Sequence, residues 1–358
     1  MREIVIVIRD LYLEPELTAR PGASGSGPGG CQGTAVGLGA APGIEHLARL
    51  GDKTILPAGW REWIAQWLGL PQYAREEPAS VAAAGLADLP ADRAVWLATP
   101  LHLIAGLTSL HFDRRSIIRL SGAELEALAA SFRDTFRGSG FDLHPLEGGE
   151  FLLSGPPVSA PTMTTEPARM LLTSVAEALP SGEGSPALRR LSAEIEMWLH
   201  GHPVNSERER RGAPPVAALW LWGGGAPPVS RPEAAREMTV VAFGSDAYLR
   251  GLWRVAGGES RPMPVDWTAV IGEPRAQRAL GVVEVAELLH AHASWSLADA
   301  VAEIDRRLIS PSLAALRRGE LERLLLLAND RRLSLRAADR WRLWRHMRRV
   351  RRGVGGLT

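Results

Sequence analysis

Val216-Ala217-Ala218-Leu219-Trp220-Leu221-Trp222-Gly223-Gly224-Gly225 is the stretch from which the rest of the chain can be read. An apolar, aromatic run stands between Pro214-Pro215 and three consecutive glycines. It is too short for a lone helix and has breakers on both sides, so it predicts a buried strand. The glycines let the backbone take positive φ and come close to whatever lies beside it. In open α/β sheets, ligands sit at the carboxyl ends of strands. Two readings of the turn follow: one bounding a ligand site, and one folded tightly under a packed core.

Similar runs recur on both sides. Residues 2–9 are a β-branched run of the kind buried on both faces of a parallel sheet. Residues 94–97, 238–243, 280–285 and 321–327 predict further strands, and 101–112 predict a strand and hairpin. Residues 141–153 predict two short strands around Glu147-Gly148-Gly149. Helical spacing appears in 44–51, in 60–68 (ended by Gly69), in 120–136, and in 168–179 and 186–199. It appears again in 246–255, 297–316 and 336–349. Ser121 with Glu124 forms a capping box. Strands alternating with helices predict an α/β fold: a mainly parallel central sheet flanked by helices, with a smaller inserted α+β subdomain. Runs 4–8, 218–222, 240–243 and 324–327 are expected to share that sheet. The Pro/Thr/Ser stretch 155–167 marks a boundary. The expected division is a core of 1–52 and 161–350, an insertion of 53–160, and a flexible tail of 351–358.

Composition excludes several classes. The 358 residues carry 41 basic and 40 acidic side chains, so no global field attracts nucleic acid. The single cysteine, Cys31, rules out an intramolecular disulfide and suits a reducing compartment. It lies in the glycine-rich stretch 21–39, read as a loop, with no basic activator beside it. The longest apolar run, 4–8, cannot cross a bilayer, and no leader precedes it, so a cytoplasmic protein without membrane partners is expected. The arginine-rich segment 331–352 holds Trp341, Leu343 and Trp344. It reads either as a docked helix with solvated arginines or as a phosphate-binding patch; docking is the preferred reading, and nucleic acid is not an expected partner.

A family resemblance rests on particular residues. His202-Pro203-Val204-Asn205, Arg208, Gly212 and the Leu219–Gly225 block resemble a signature of cofactor-independent phosphoglycerate mutases of the archaeal type. They resemble still more the bacterial relatives known as RpfE-type regulatory proteins. Ala41-Pro42-Gly43-Ile44-Glu45-His46-Leu47-Ala48-Arg49-Leu50-Gly51 is similar to the Thr-Pro-Asn-hydrophobic-Asp-x-Leu-Ala-x-x-Gly segment of the alkaline phosphatase superfamily. Residues 98–106 resemble a Pro-Val-His-Leu strand of the relatives, and 245–257 the helix that follows their Trp-Gly block.

The resemblance implies an alkaline-phosphatase/phosphoglycerate-mutase-like fold and, for active members, two divalent ions with a Ser or Thr nucleophile. Their first metal ligand is an Asp ending the first strand in an Asp-Gly pair. Asp10 stands there, followed by Leu11, and is either that ligand or a strand-end carboxylate. Ser24, Ser26, Thr34 and Ser80 lie in loops without the nucleophile's flanks. His290, His292, Asp299 and Asp305 do not form the second-metal motif. His202, Asn205, Arg208, Trp222, Gly223, Gly224 and Gly225 are carried over as candidates for binding a small anionic ligand. Asn205 has a helix-capping alternative, and Arg208 a solvated one. The expectation is a bacterial regulatory pseudoenzyme without a cofactor, whose partner is a small anion or another protein. A metal-dependent mutase or phosphohydrolase using Mn²⁺, Mg²⁺ or Zn²⁺ is the alternative.

Overall fold

The structure, a computed structural model, describes residues 2–11, 41–86, 89–105, 110–158, 160–171, 175–229, 240–273, 277–328 and 330–341. Cys31, Ser24, Ser26 and Thr34 lie outside these residues, as does the tail beyond Trp341.

The larger sheet has six strands. β1 (Glu3–Ile8) pairs in parallel with β10 (Arg278–Val283) and β11 (Arg323–Ala328), and β9 (Val240–Phe243) extends it in parallel beyond β10. Two antiparallel strands finish the other side: β12 (Arg331–Arg336) on β11, then β2 (Asp52–Ile55) at the edge. The expected mainly parallel sheet is therefore mixed.

Strand alternation divides the core. Ile4, Ile6, Ile8, Leu324 and Leu326 face one buried cluster. It is covered by α1 (Pro42–Leu50), α10 (Trp267–Ile271), α11 (Val285–Ala291), α12 (Leu297–Ile304) and α13 (Ser310–Arg318). Val5, Val7, Leu325 and Leu327 face the other, under α2 (Gly59–Trp67) and α9 (Ala247–Val255). Each of these side chains is withdrawn from water, at about 25 cal/mol per Å² of apolar surface.

The second sheet has four antiparallel strands in the order β6-β7-β3-β8: β6 (Asp142–Leu146), β7 (Glu150–Gly155), β3 (Ala94–Leu101) and β8 (Ala218–Trp222). The expectation that 218–222 joins strand 4–8 is corrected here, because β8 is the edge strand of the other sheet. The sequence could not distinguish the two. Leu219 and Leu221 face α4 (Gly122–Thr135) and α7 (Ser185–His200), while Trp222 packs on the opposite face. A strand covered on both faces reads the same in either sheet type. A short hairpin of β4 (Ile104–Ala105) and β5 (Leu110–His111) stands apart.

The alanine-rich α3 (Pro78–Ala83) joins the halves. It covers Val95 and Leu97 of β3, and it also meets α9 at Gly251, where a Cβ would run into the Val81 carbonyl. The chain reaches β8 through α5 (Pro167–Met170), α6 (Val175–Ala178), α7 and α8 (Pro203–Arg210). β2 and α2, from within 53–160, belong to the larger sheet and its cover, whereas β8, from outside that range, completes the smaller sheet. No described helix is long and apolar enough to cross a membrane.

Candidate functional site

Three neighbouring parallel strands each deliver a charge to the same edge. Arg9 follows β1, Glu284 follows β10, and Asp246, just beyond β9, caps α9 by accepting the Leu249 N–H at 2.9 Å. The smaller sheet contributes Glu150, the first residue of β7, with Arg119 nearby. The Arg9 guanidinium donates to both Asp246 and Glu284 and lies 4.0 Å from Glu150. Arg119 donates to Glu284 and lies 3.5 Å from Glu150. Glu150 also accepts the Thr99 hydroxyl at 3.1 Å, and Thr99 accepts the Trp222 indole N–H at 2.9 Å. One step outward, Arg61 grips Glu166 with two bonds of 2.9 and 2.7 Å and lies 4.7 Å from the Trp60 ring centre and 5.1 Å from that of Trp222.

Burial sets the electrostatics of this node. Burial alone would lower the Arg9 pKa, but Asp246, Glu150 and Glu166 more than offset it, and the guanidinium is held above its ordinary value. Burial would likewise raise Asp246, yet Arg9 and Arg61 hold it below the usual carboxylate range. Glu166 is depressed against its own burial by Arg61. For Arg119 burial wins, with help from Arg9, and its pKa falls despite Glu150. Arg9 and Arg61 are thus the counter-ions that keep Asp246 and Glu166 charged.

A divalent metal does not fit these side chains. Asp10, fully buried, spends both carboxylate oxygens on the first turn of α11, accepting the N–H of Val285 at 2.7 Å and of Ala286 at 2.8 Å. The three neighbouring acids converge on a guanidinium, and a second positive charge there would be repelled by Arg9. Among the described residues, no group of three or more His, Cys, Asp or Glu side chains is arranged to hold a metal ion. Asp305 mirrors Asp10: it accepts the N–H of Gly43 at 3.1 Å and of Ile44 at 2.7 Å, anchoring α1. A Cβ on Gly43 would stand 2.6 Å from that carboxylate, which explains the glycine in the 41–51 motif. His290 donates Nε2–H to the Ile117 carbonyl, and His292 stacks on Trp295 with ring centres 3.9 Å apart.

The residues carried over from the resemblance fall into two groups at opposite ends of β8. His202, not Asn205, is the N-cap of α8, accepting the Val204 N–H at 3.1 Å, and burial lowers its pKa. Asn205 donates to the carbonyls of Leu199 and Val216 and accepts the Val216 N–H. Arg208 is buried, bound to Glu124 at 2.8 Å and to the Pro214 carbonyl at 2.8 Å. These three fasten the entry to β8.

At its exit, Gly223 and Gly225 take φ of 62° and 105°. The Gly223 N–H donates to the Thr164 hydroxyl, its carbonyl accepts the Ala79 N–H, and the Gly225 N–H donates to the Val95 carbonyl. A Cβ on Gly224 would collide with that same carbonyl. The close approach is thus to β3 and α3, and the turn ends an edge strand. Trp222 alone of the candidates lines a cavity of about 1000 Å³ between α2, residues 74–78 and residues 164–169.

Sequence reasoning missed Arg9, Glu150, Asp246 and Glu284, and with them Arg61, Arg119 and Glu166. One signal was available: each of three largely apolar parallel strands is followed within three residues by a charge, and the structure buries all three. Nothing in the sequence indicated that these charges meet.

No family model matches the chain. A 126-residue stretch is 33% identical to 2,3-bisphosphoglycerate-independent phosphoglycerate mutase 2 of Methanothermobacter thermautotrophicus, covering 33% of this chain and 31% of that protein. Through that stretch the chain is homologous to cofactor-independent phosphoglycerate mutases, although it spans about a third of the length of this curated relative. Among solved structures, the cofactor-independent phosphoglycerate mutase of Thermoplasma acidophilum aligns over 94% of this chain and 90% of its own, at 17% identity and a TM-score of 0.36. A protein from Pyrococcus horikoshii aligns over 94% and 87%, at 12% identity and a TM-score of 0.45.

Proposed function

We propose that this chain is a non-catalytic relative of the cofactor-independent phosphoglycerate mutases, a cytoplasmic regulatory protein of the RpfE type from a bacterium. It would act by binding a small anion or a protein partner, without a metal cofactor. The observation that carries this reading is Arg9, whose guanidinium sits where the buried acids of both sheets converge. Two-metal phosphoryl transfer needs carboxylates free to coordinate ions beside the attacking and leaving oxygens. Here those carboxylates are neutralised by arginines of the chain itself, and Asp10 is engaged by the start of α11. What the arrangement does instead is clamp two sheets together and leave a large cavity along their seam, walled partly by Trp222.

The test is a mutase assay on purified protein with Mn²⁺, Mg²⁺, Zn²⁺ or Co²⁺. No interconversion of 2- and 3-phosphoglycerate is expected. Turnover that disappears in Asp10→Ala would overturn the reading in favour of a divergent metal-dependent mutase.

A further inference from the structure

We propose that the seam cavity is a binding site for a sugar-sized organic anion, with Arg169 as the cation that holds its phosphate or carboxylate group. The inference rests on the ligand-binding, non-catalytic reading above and gives that ligand a place and a chemical class.

Several independent features converge on one wall. Arg169 is exposed, lines the cavity and forms no ion pair among the described residues, in contrast to Arg9, Arg61 and Arg119. Arg61 lines the same wall. Both its terminal nitrogens are bound to Glu166 and its Nε is buried without an acceptor, so Arg61 adds positive charge but offers no accessible donor. Gly59 lies between them at a φ of 81°, and the one atom within 4.0 Å of a Cβ placed there is the Arg169 Nη2. A larger residue would be strained at that φ and would fill the gap beneath the guanidinium. Gly59 also begins α2, a nine-residue helix whose N-cap, Ala58, supplies no side-chain acceptor for the first-turn N–H groups.

The rest of the cavity suits the body of such a molecule. Its volume, about 1000 Å³, lies at the upper end of small-molecule sites. Trp222 is part of the lining but is buried beneath the Arg61 guanidinium, and its own N–H is committed to Thr99. Glu76 and Glu77, exposed in the same lining beside Arg75, can accept hydroxyl donors. An anion at Arg169 with hydroxyls toward Glu76 and Glu77 satisfies both walls; a purely apolar ligand satisfies neither.

Calorimetric titration of the full chain with glucose 6-phosphate, gluconate and glucose tests the site, with Arg169→Ala and Arg317→Ala as variants. Arg317 is an exposed arginine of α13, away from the cavity. Saturable binding of glucose 6-phosphate or gluconate is expected, with the stronger of the two identifying the anionic group, and glucose should bind at least tenfold more weakly. Arg169→Ala should weaken the bound anion tenfold or more while its melting curve matches that of the unaltered protein, and Arg317→Ala should leave binding unchanged. Absence of saturable binding by either anion would overturn the proposal, as would equal affinity in Arg169→Ala. Mutase turnover, in contrast, would sink the non-catalytic reading and leave the Arg169 site standing, so the two failures are separable.

Discussion

The entry to β8 and the edge beyond β1 are both buried polar clusters, yet they differ in how the sequence builds them. At β8, His202, Asn205 and Arg208 lie within seven residues of one another and bond to nearby carbonyls, to N–H groups and to Glu124. Beyond β1, Arg9, Glu150, Asp246 and Glu284 come from four distant segments and both sheets. The first cluster is conspicuous in sequence, and its polar atoms serve the local fold. The second is dispersed through the sequence, and it joins the two halves of the molecule. A compact motif therefore marked where the chain is fastened, while the charges that determine what chemistry is possible were scattered.

The sharpest way to break this contrast is to remove the centre of the dispersed cluster. Arg9→Met leaves Asp246 buried without its main counter-ion, while Glu284 keeps Arg119, and breaking a buried pair in this way costs about 3–5 kcal/mol. Denaturant unfolding checks it. A loss near zero would mean that the cluster is solvated and does not clamp the sheets.

Arg208→Ala should cost less, about 1–3 kcal/mol, because Glu124 keeps Ser121 and Arg211 as partners. An effect within about 0.5 kcal/mol, as for an exposed arginine, would place Arg208 outside the scaffold. The order of the two losses matters as much as their sizes. If Arg208→Ala proves the more damaging, the local motif and not the dispersed node is the principal brace.

Much of the secondary structure was legible, for identifiable reasons. The uninterrupted apolar runs 4–8 and 324–327 mark strands buried on both faces, and Ser121 with Glu124 signals the start of α4 as the structure has it. β2 was missed because Asp52-Lys53-Thr54-Ile55 is exposed throughout and carries no burial pattern. β12 was missed because Arg331-Arg332-Leu333-Ser334-Leu335-Arg336 was absorbed into the basic tail, although its leucines alternate into the core. The sheet to which β8 belongs was not legible at all, since partner choice depends on residues more than a hundred positions away. In the candidate site, Asp10 was singled out as a metal ligand or a strand-end carboxylate, and its two oxygens accept backbone N–H groups of α11. Trp222 reached the cavity as a candidate; Arg61 and Arg169, beside it there, were never considered.

The central claim is that the acids gathered beyond β1 are balanced by Arg9, and Asp10 by the start of α11, and not by a metal ion. Equilibrium dialysis of chelator-stripped protein against Mn²⁺ and Zn²⁺, with and without Asp10→Ala, measures this directly. The account predicts no stoichiometric ion uptake by the unaltered protein and a melting temperature indifferent to chelator. One or two tightly held ions per chain, lost in Asp10→Ala, would contradict it.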